Sequence, residues 1–203
     1  FAGENATTQG EPERIPIQTE RNLVLSHEEA IVNRIVVSLL CAAALASTAS
    51  AQEPPAAKAS FINQQGNEIG KATLTETPTG VLISIDLMGL SSGPHAFHIH
   101  EKGVCNPADK FMSAGGHFNV QDHKHGYLVE GGPHAGDMPN AVVPDGGILR
   151  MNVFNENVTL KDGPNSLFGP NGTSLVIHDR PDDYKSQPSG NAGDRVACAV
   201  IKK

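Results

Sequence analysis

The sequence predicts an all-β domain of short antiparallel strands joined by turns and long loops. Three observations predict it. The 203 residues include 21 Gly and 14 Pro but no Trp, a composition that suits many chain reversals better than paired helices. Beyond residue 52 no long stretch carries the three-to-four-residue apolar spacing of an amphipathic helix. Period-2 alternation recurs there instead, as in VLISIDLMG, where Val81, Ile83, Ile85 and Leu87 share one face and Ser84 and Asp86 the other.

Taken in chain order, the first fifty residues differ in kind. The run IVVSLLCAAALASTASA (35–51) follows Arg34 and closes on Ala49-Ser50-Ala51, the layout of a signal peptide, placed here at 32–51. It is shorter than the roughly 20 apolar residues that a membrane span needs, so no stable membrane association is expected after cleavage. Cys41 follows Leu40, where a lipoprotein signal wants a small residue, which argues against lipidation. No Met precedes Met88, so initiation is placed near Val32 and residues 1–31 are read as leader or non-native sequence. Residues 52–57 read as a linker and 58–203 as the domain. Export implies a periplasmic or secreted protein.

Without residues 1–51 the chain keeps 12 Lys and Arg against 16 Asp and Glu, a formal charge of −4, which makes nucleic acid a poor partner. Two cysteines remain, Cys105 and Cys198, an even number in an exported chain. A disulfide is the natural inference, with two buried free thiols as the alternative.

Within the domain, KATLTETPTG reads as a strand ending at a Pro-Thr-Gly turn, so 68–88 forms a hairpin. Further strands are expected at ILRMNVF (148–154), TSLVIHD (173–179) and RVACAVI (195–201). Between them lie two long segments rich in Gly, Pro and Asp, at about 103–147 and 179–194. Loops of that length in a compact β domain are usually functional or disordered.

Eight of the nine histidines lie after residue 90, six of them in or beside the first long loop. In an extended strand residues two apart project to one side, so His98 and His100 point together while Phe97 and Ile99 point away. Such a pair can grip one ion, although a lone H-x-H is weak evidence. His95 has the opposite parity. With His117, His125, His134, Asp137 and His178, seven donors emerge. Two four-coordinate ions offer eight ligand places, so seven residues suffice if one histidine bridges as imidazolate, which is tolerable only between two cations. Nitrogen-rich tetragonal surroundings suit copper, and histidines plus one aspartate in a tetrahedron suit zinc.

At these residues the chain resembles the copper/zinc superoxide dismutase family. FHIHEKG (97–103) looks like its copper-binding strand and SAGGHFN (113–119) its bridging-histidine segment. KHG followed by HAGD looks like its zinc loop, LVIHDRPDDY (175–184) its last copper ligand, and GNAGDRVACAVI (190–201) its C-terminal signature. The resemblance covers about residues 58–203. It implies an eight-stranded antiparallel Greek-key β-barrel or sandwich with two long functional loops. It also implies dismutation of superoxide to oxygen and hydrogen peroxide by copper redox cycling, with zinc as a structural ion.

Residue by residue, the resemblance places copper on His98, His100, His117 and His178, and zinc on His117, His125, His134 and Asp137, with His117 as the bridge. Asp182 matches an aspartate that hydrogen-bonds ligands of both metals. Arg195 matches an arginine beside the copper that docks the superoxide anion, so the catalytic pair is Arg195 and His117. Cys105 and Cys198 match the intrasubunit disulfide, and His95 a histidine that binds neither metal. His123 aligns with a surface residue. Lys185 is a candidate for guiding the anion.

The segments NPADKFMSAG and YKSQPSGNAG look bacterial, which leaves a homodimer and its interface open. Two other readings compete. A copper-delivery domain of the same fold would lack a ligand or the arginine, and a zinc hydrolase would carry an open zinc with a general base; neither pattern occurs.

Overall fold

The computed structural model describes residues 53–203; the leader and signal-peptide assignments lie outside the described residues. Every regular element there is a strand or a one-turn 3₁₀ helix, so the chain is all-β as predicted.

The strands are β1 (Ala56–Asn63), β2 (Glu68–Thr77), β3 (Gly80–Met88), β4 (Gly93–His95), β5 (Phe97–His100), β6 (Ala141–Val143), β7 (Ile148–Asn155), β8 (Ser174–His178) and β9 (Arg195–Val200). β4 and β5 are one strand interrupted at Ala96, which brings the nine segments to the expected eight. Ala96 turns its backbone to the loop after β8, donating to Arg180 O and accepting from His178 N. On its two sides the strand therefore pairs differently, β4 with β6 and β5 with β8.

Seven strands form one antiparallel sheet in the order β5-β8-β9-β1-β2-β3-β7. Neighbours such as β3 and β7, or β9 and β1, are far apart in sequence, which is Greek-key winding. The hairpin β2–β3 pairs Thr77 with Gly80 through Gly70 with Leu87, as the turn at Pro78-Thr79 requires. β1 begins at Ala56, inside the stretch read as linker, because Ala57 alternates with Ala59 and Phe61 into the core.

Alternation places the core. Val81, Ile83, Ile85 and Leu87 of β3 meet Leu74 of β2, Phe61 of β1 and Leu149 of β7, while Ser84, Asp86 and Arg150 face out. β5 and β8 are buried on both faces. Phe97, Ile99, Leu175 and Ile177 join the core from one face. The other face of β5 carries His98 and His100 beneath the long loops, the division that strand parity predicts.

The first long loop is less irregular than its composition suggests. It contains β6 and two 3₁₀ turns, all three residues long and too short to show a period. Two of its pieces also pair with the free edge of β5. Phe118 N donates to Ile99 O at 2.8 Å, Glu101 N to Gly116 O at 2.9 Å and Ile99 N to Gly136 O at 2.9 Å. Gly136 is needed for that approach, since a Cβ there would run into Ile99 O. This pairing brings His117 and Asp137 opposite His100 and His98.

Candidate metal centre

His98 and His100 start on β5, His178 ends β8, and His117 stands on the loop segment paired with β5. The structure brings these four together, all buried, with one ring nitrogen of each inside a common sphere whose members lie within 4.8 Å of one another. The other ring nitrogen explains the orientation in three of them. His98 Nε2–H donates to Asp182 Oδ2 at 2.9 Å, His100 Nδ1–H to Gly115 O at 3.0 Å, and His178 Nδ1–H to Gly193 O at 3.3 Å. Each of those bonds fixes a tautomer whose remaining nitrogen has a bare lone pair. His98 Nδ1, His100 Nε2, His117 Nε2 and His178 Nε2 are the buried side-chain polar atoms without a hydrogen-bond partner among the described residues.

A second cluster shares His117. Its Nδ1 lies 2.8 Å from Asp137 Oδ1, as do His125 Nδ1 at 3.1 Å and His134 Nδ1 at 3.4 Å; the Nδ1 atoms of His134 and His117 are 3.4 Å apart. Donors about 2.0–2.1 Å from one ion in a tetrahedron stand roughly 3.3 Å from each other, so this spacing suits zinc. Gly126 N and His134 N both donate to Asp137 Oδ2, which turns Oδ1 toward the histidines. His98 also falls near His117, His125 and Asp137. Its Nε2 is committed to Asp182 and its Nδ1 faces the other cluster, so His134 is the better fourth member.

Asp182 spans the two clusters, accepting from His98 Nε2 with one oxygen and from His125 Nε2 with the other, at 2.9 and 3.0 Å. Gly190 is required beside it, because a side chain there would collide with Asp182 Oδ1.

Burial sets the protonation states. It pulls His100 and His178 well below the usual histidine range, lowers His98, and with the neighbouring His98 brings His117 to about 3, so these rings are neutral and able to ligate. Burial also opposes charge on Asp137 and Asp182, but hydrogen bonds from the histidines hold both far below the usual carboxylate range. His125 goes the other way: its bonds to the two carboxylates outweigh burial and raise it to about 9.

The family model for copper/zinc superoxide dismutase matches residues 68–201. The chain belongs to that family. The copper-zinc superoxide dismutase 2 of Aquifex aeolicus is 52% identical over 166 residues, covering 81% of this chain and 96% of the relative. Superoxide dismutase 1 of the same organism is 56% identical over 146 residues, 71% of this chain and 86% of its own. Among solved structures, a double mutant of a superoxide dismutase-like protein from Bacillus subtilis superposes with a TM-score of 0.69 at 35% identity, over 72% of this chain and 97% of that one.

In this dismutase-family chain a cleft of about 550 Å³ opens onto His100, His117 and His178. Arg195 sits in its wall with Nη1 donating to Phe111 O and Nη2 to Gly115 O, both at 2.7 Å. Gly115 O thus orients Arg195 and His100 together. The disulfide Cys105–Cys198 is formed, with Cα atoms 5.7 Å apart, and fastens the loop carrying Phe111 and Gly115 to β9.

Other histidines lie outside both clusters. His95 is buried, with Nδ1 2.6 Å from His178 O and Nε2 2.9 Å from Ser91 O. His123 is exposed, with Nδ1 3.0 Å from Pro133 O.

Lys185 is exposed and does not line the cleft; the lysine that does is Lys110. Its ammonium is 3.8 Å from Asp194, which also lines the cleft. Nothing in the sequence separates Lys110 from other loop lysines, because its place depends on the left-handed backbone at Lys110 and Phe111.

Proposed function

We propose that this chain is a superoxide dismutase in which His98 Nδ1 and the Nε2 atoms of His100, His117 and His178 hold copper. The Nδ1 atoms of His117, His125 and His134, with Asp137 Oδ1, would hold zinc. The observation that carries the reading is the set of four buried ring nitrogens without partners: a neutral buried acceptor left unpaired costs stability unless a ligand completes it. When bound, copper supplies the one-electron couple and zinc a fixed charge on the shared imidazole.

The protein's own groups do the rest. Two superoxide ions and two protons give one oxygen and one hydrogen peroxide. Arg195, and Lys110 farther out, offer positive charge along the cleft to an anion approaching a net-acidic chain. His117 Nε2 is an unpartnered acceptor on the wall of the cleft, where a proton bound for the product can be held. Asp182 keeps the His98 and His125 rings from turning.

The apolar run ending at Ala49-Ser50-Ala51 and the disulfide support a periplasmic or secreted location, where oxidation of thiols is stable. Export of a fusion to a reporter active only outside the cytoplasm tests it; a fusion that accumulates but stays inactive would reject it.

The deciding experiment is metal analysis of the purified chain with an assay of superoxide removal. About one copper and one zinc per chain, with activity lost in cyanide, is the expected result. A chain that binds neither metal after reconstitution would end the proposal. His117→Ala should change the metal content of both clusters, and unaltered copper and zinc content with an unaltered copper spectrum would rule out the shared ligand.

A further inference from the structure

Side-chain amides join the two long loops at two points and close a turn within the first. Gln187 Nε2 donates to His125 O at 2.8 Å, and its Oε1 accepts from His125 N at 2.9 Å, so one carboxamide satisfies both backbone groups as a neighbouring strand would. Asn140 does the same for Asp182, donating to its O at 2.9 Å and accepting from its N at 2.8 Å. Asn119 does it for His123, at 2.9 and 3.0 Å.

The three pairs hold different things. Asn119 closes a turn within its own loop, and Asn140 holds the aspartate bonded to both clusters. Gln187 reaches from the second long loop to a residue whose Nδ1 belongs to the zinc cluster alone. His125 needs such an anchor, since it lies in irregular chain with no strand beside it. The segment around it is also tied by Lys124 N to Gly131 O, Gly126 N to Asp137 Oδ2, Tyr127 OH to Asp137 O and Leu128 N to Tyr184 O, but none of these reaches a backbone group of His125 itself.

We infer that Gln187 is a positioning residue for His125 and sets how slowly the zinc cluster gives up its ion. The inference rests on the assignment of His117, His125, His134 and Asp137 to zinc. A metal leaves such a site one ligand at a time. The ligand whose backbone can drift is the one that leaves first and returns least often. With both backbone groups of His125 held, its ring recoils onto the ion instead of swinging away. The His125 ring also reaches Asp182, but that bond aims the ring without holding the chain beneath it.

The test compares Gln187→Ala, which removes both bonds, with Gln187→Glu, which keeps the size but faces His125 O with an acceptor instead of a donor. Ser186→Ala is the control. Its hydroxyl bonds Asp183 at 2.6 Å in the same loop without touching His125. Holoprotein is mixed with a chromogenic zinc chelator, and zinc transfer, copper retention and thermal unfolding of the metal-free chain are followed.

Both Gln187 variants should release zinc about ten-fold faster than wild type, the lower end for loss of a ligand-orienting partner. Their copper content should stay at the wild-type level and their metal-free unfolding should match that of Ser186→Ala. Zinc release at the wild-type rate from either Gln187 variant overturns the inference, and so does equally fast release from Ser186→Ala, which would mean general loop loosening. His125→Ala separates the levels. If it releases zinc fast while Gln187→Ala does not, the inference alone fails; if His125→Ala itself keeps zinc at the wild-type rate, the zinc assignment fails and takes the inference with it.

Discussion

Arg195 is the first residue of β9, with two of its donors spent on backbone carbonyls, Phe111 O and Gly115 O. Partial burial lowers its pKa, but an arginine starts so high that it remains a cation at any working pH. A guanidinium held in this way offers positive charge at a fixed place without first ordering a long side chain. Arg195→Ala should therefore slow superoxide removal roughly ten-fold and flatten its dependence on ionic strength, as expected for loss of an attractive site. Both metals should stay, which atomic absorption on the same sample checks. Loss of copper would show that Arg195 builds the site instead of serving it.

His125 carries a second prediction at the same scale. Burial opposes its charge, yet the hydrogen bonds to Asp137 and Asp182 raise it to about 9, so without metal the ring is an imidazolium with both nitrogens donating to carboxylates. A proton there does part of the work of zinc. Its folded pKa lies above the unfolded value of about 6.5, so its contribution to metal-free stability is complete below that value and is lost as pH rises through 9. Zinc needs the neutral ring, so uptake between about pH 7 and 8 should release close to one proton from this residue, fading above about 9. His117, near 3, adds none. Calorimetry in two buffers of different ionisation enthalpy measures the number, and zero release at neutral pH would contradict it.

At the scale of elements, the loop after β7 is pinned by a residue that alternation alone would misplace. Glu76 lies on the core-facing side of β2 with Ala72 and Leu74, and it is only 6% exposed. Its carboxylate accepts from Leu160 N at 2.6 Å and Thr159 Oγ1 at 2.9 Å and pairs with Lys161 at 3.3 Å. Burial opposes the charge, but these bonds outweigh it and lower the pKa. The stability it adds is therefore present above the ordinary carboxylate pKa and is lost as pH falls through the lowered one. Glu76→Ala strands a buried amide and should cost about 1–3 kcal/mol in urea unfolding at neutral pH. Glu76→Gln keeps an acceptor for Leu160 N, so it should cost less while removing the acid-side slope.

The same scale shows what the sequence could and could not tell. β2, β3 and β7 were legible because each is long and buries one face, which writes a period of two. β8 and β9 were legible as apolar runs. β6 was not, since three residues carry no period, and the break at Ala96 was hidden because it answers to Arg180 and His178 on another strand. The histidines could be picked out by type and clustering. Asn140, Gln187 and Gly190 could not, because an amide or a glycine in a loop has no local mark; their roles exist only once the two loops meet.

Over the whole molecule, one covalent link joins the barrel to the substrate's cleft. Cys198 is buried on β9, three residues beyond Arg195, and packs with Phe111, Ala114 and Val176 in a small apolar cluster apart from the main core. Its partner Cys105 opens the loop whose carbonyls at Phe111 and Gly115 seat Arg195. The link closes 93 residues of chain, for which loop-closure entropy gives about 4 to 5 kcal/mol. Two effects should then separate in the double variant Cys105→Ser/Cys198→Ser. Guanidinium unfolding of the metal-free chain should lose stability on that scale, a large part of the roughly 5–15 kcal/mol of an ordinary domain. The metal-loaded variant should keep its copper, because none of the four histidines proposed to hold it lies on the freed segment between Cys105 and Phe111. Its rate per bound copper should still fall, by less than in Arg195→Ala, since the guanidinium survives but its carbonyl seat loosens. Adding Arg195→Ala to the double variant distinguishes the routes. If the disulfide acts through Arg195, the triple variant is no slower than Arg195→Ala alone; if the two losses multiply, the link supports the reaction by some other path.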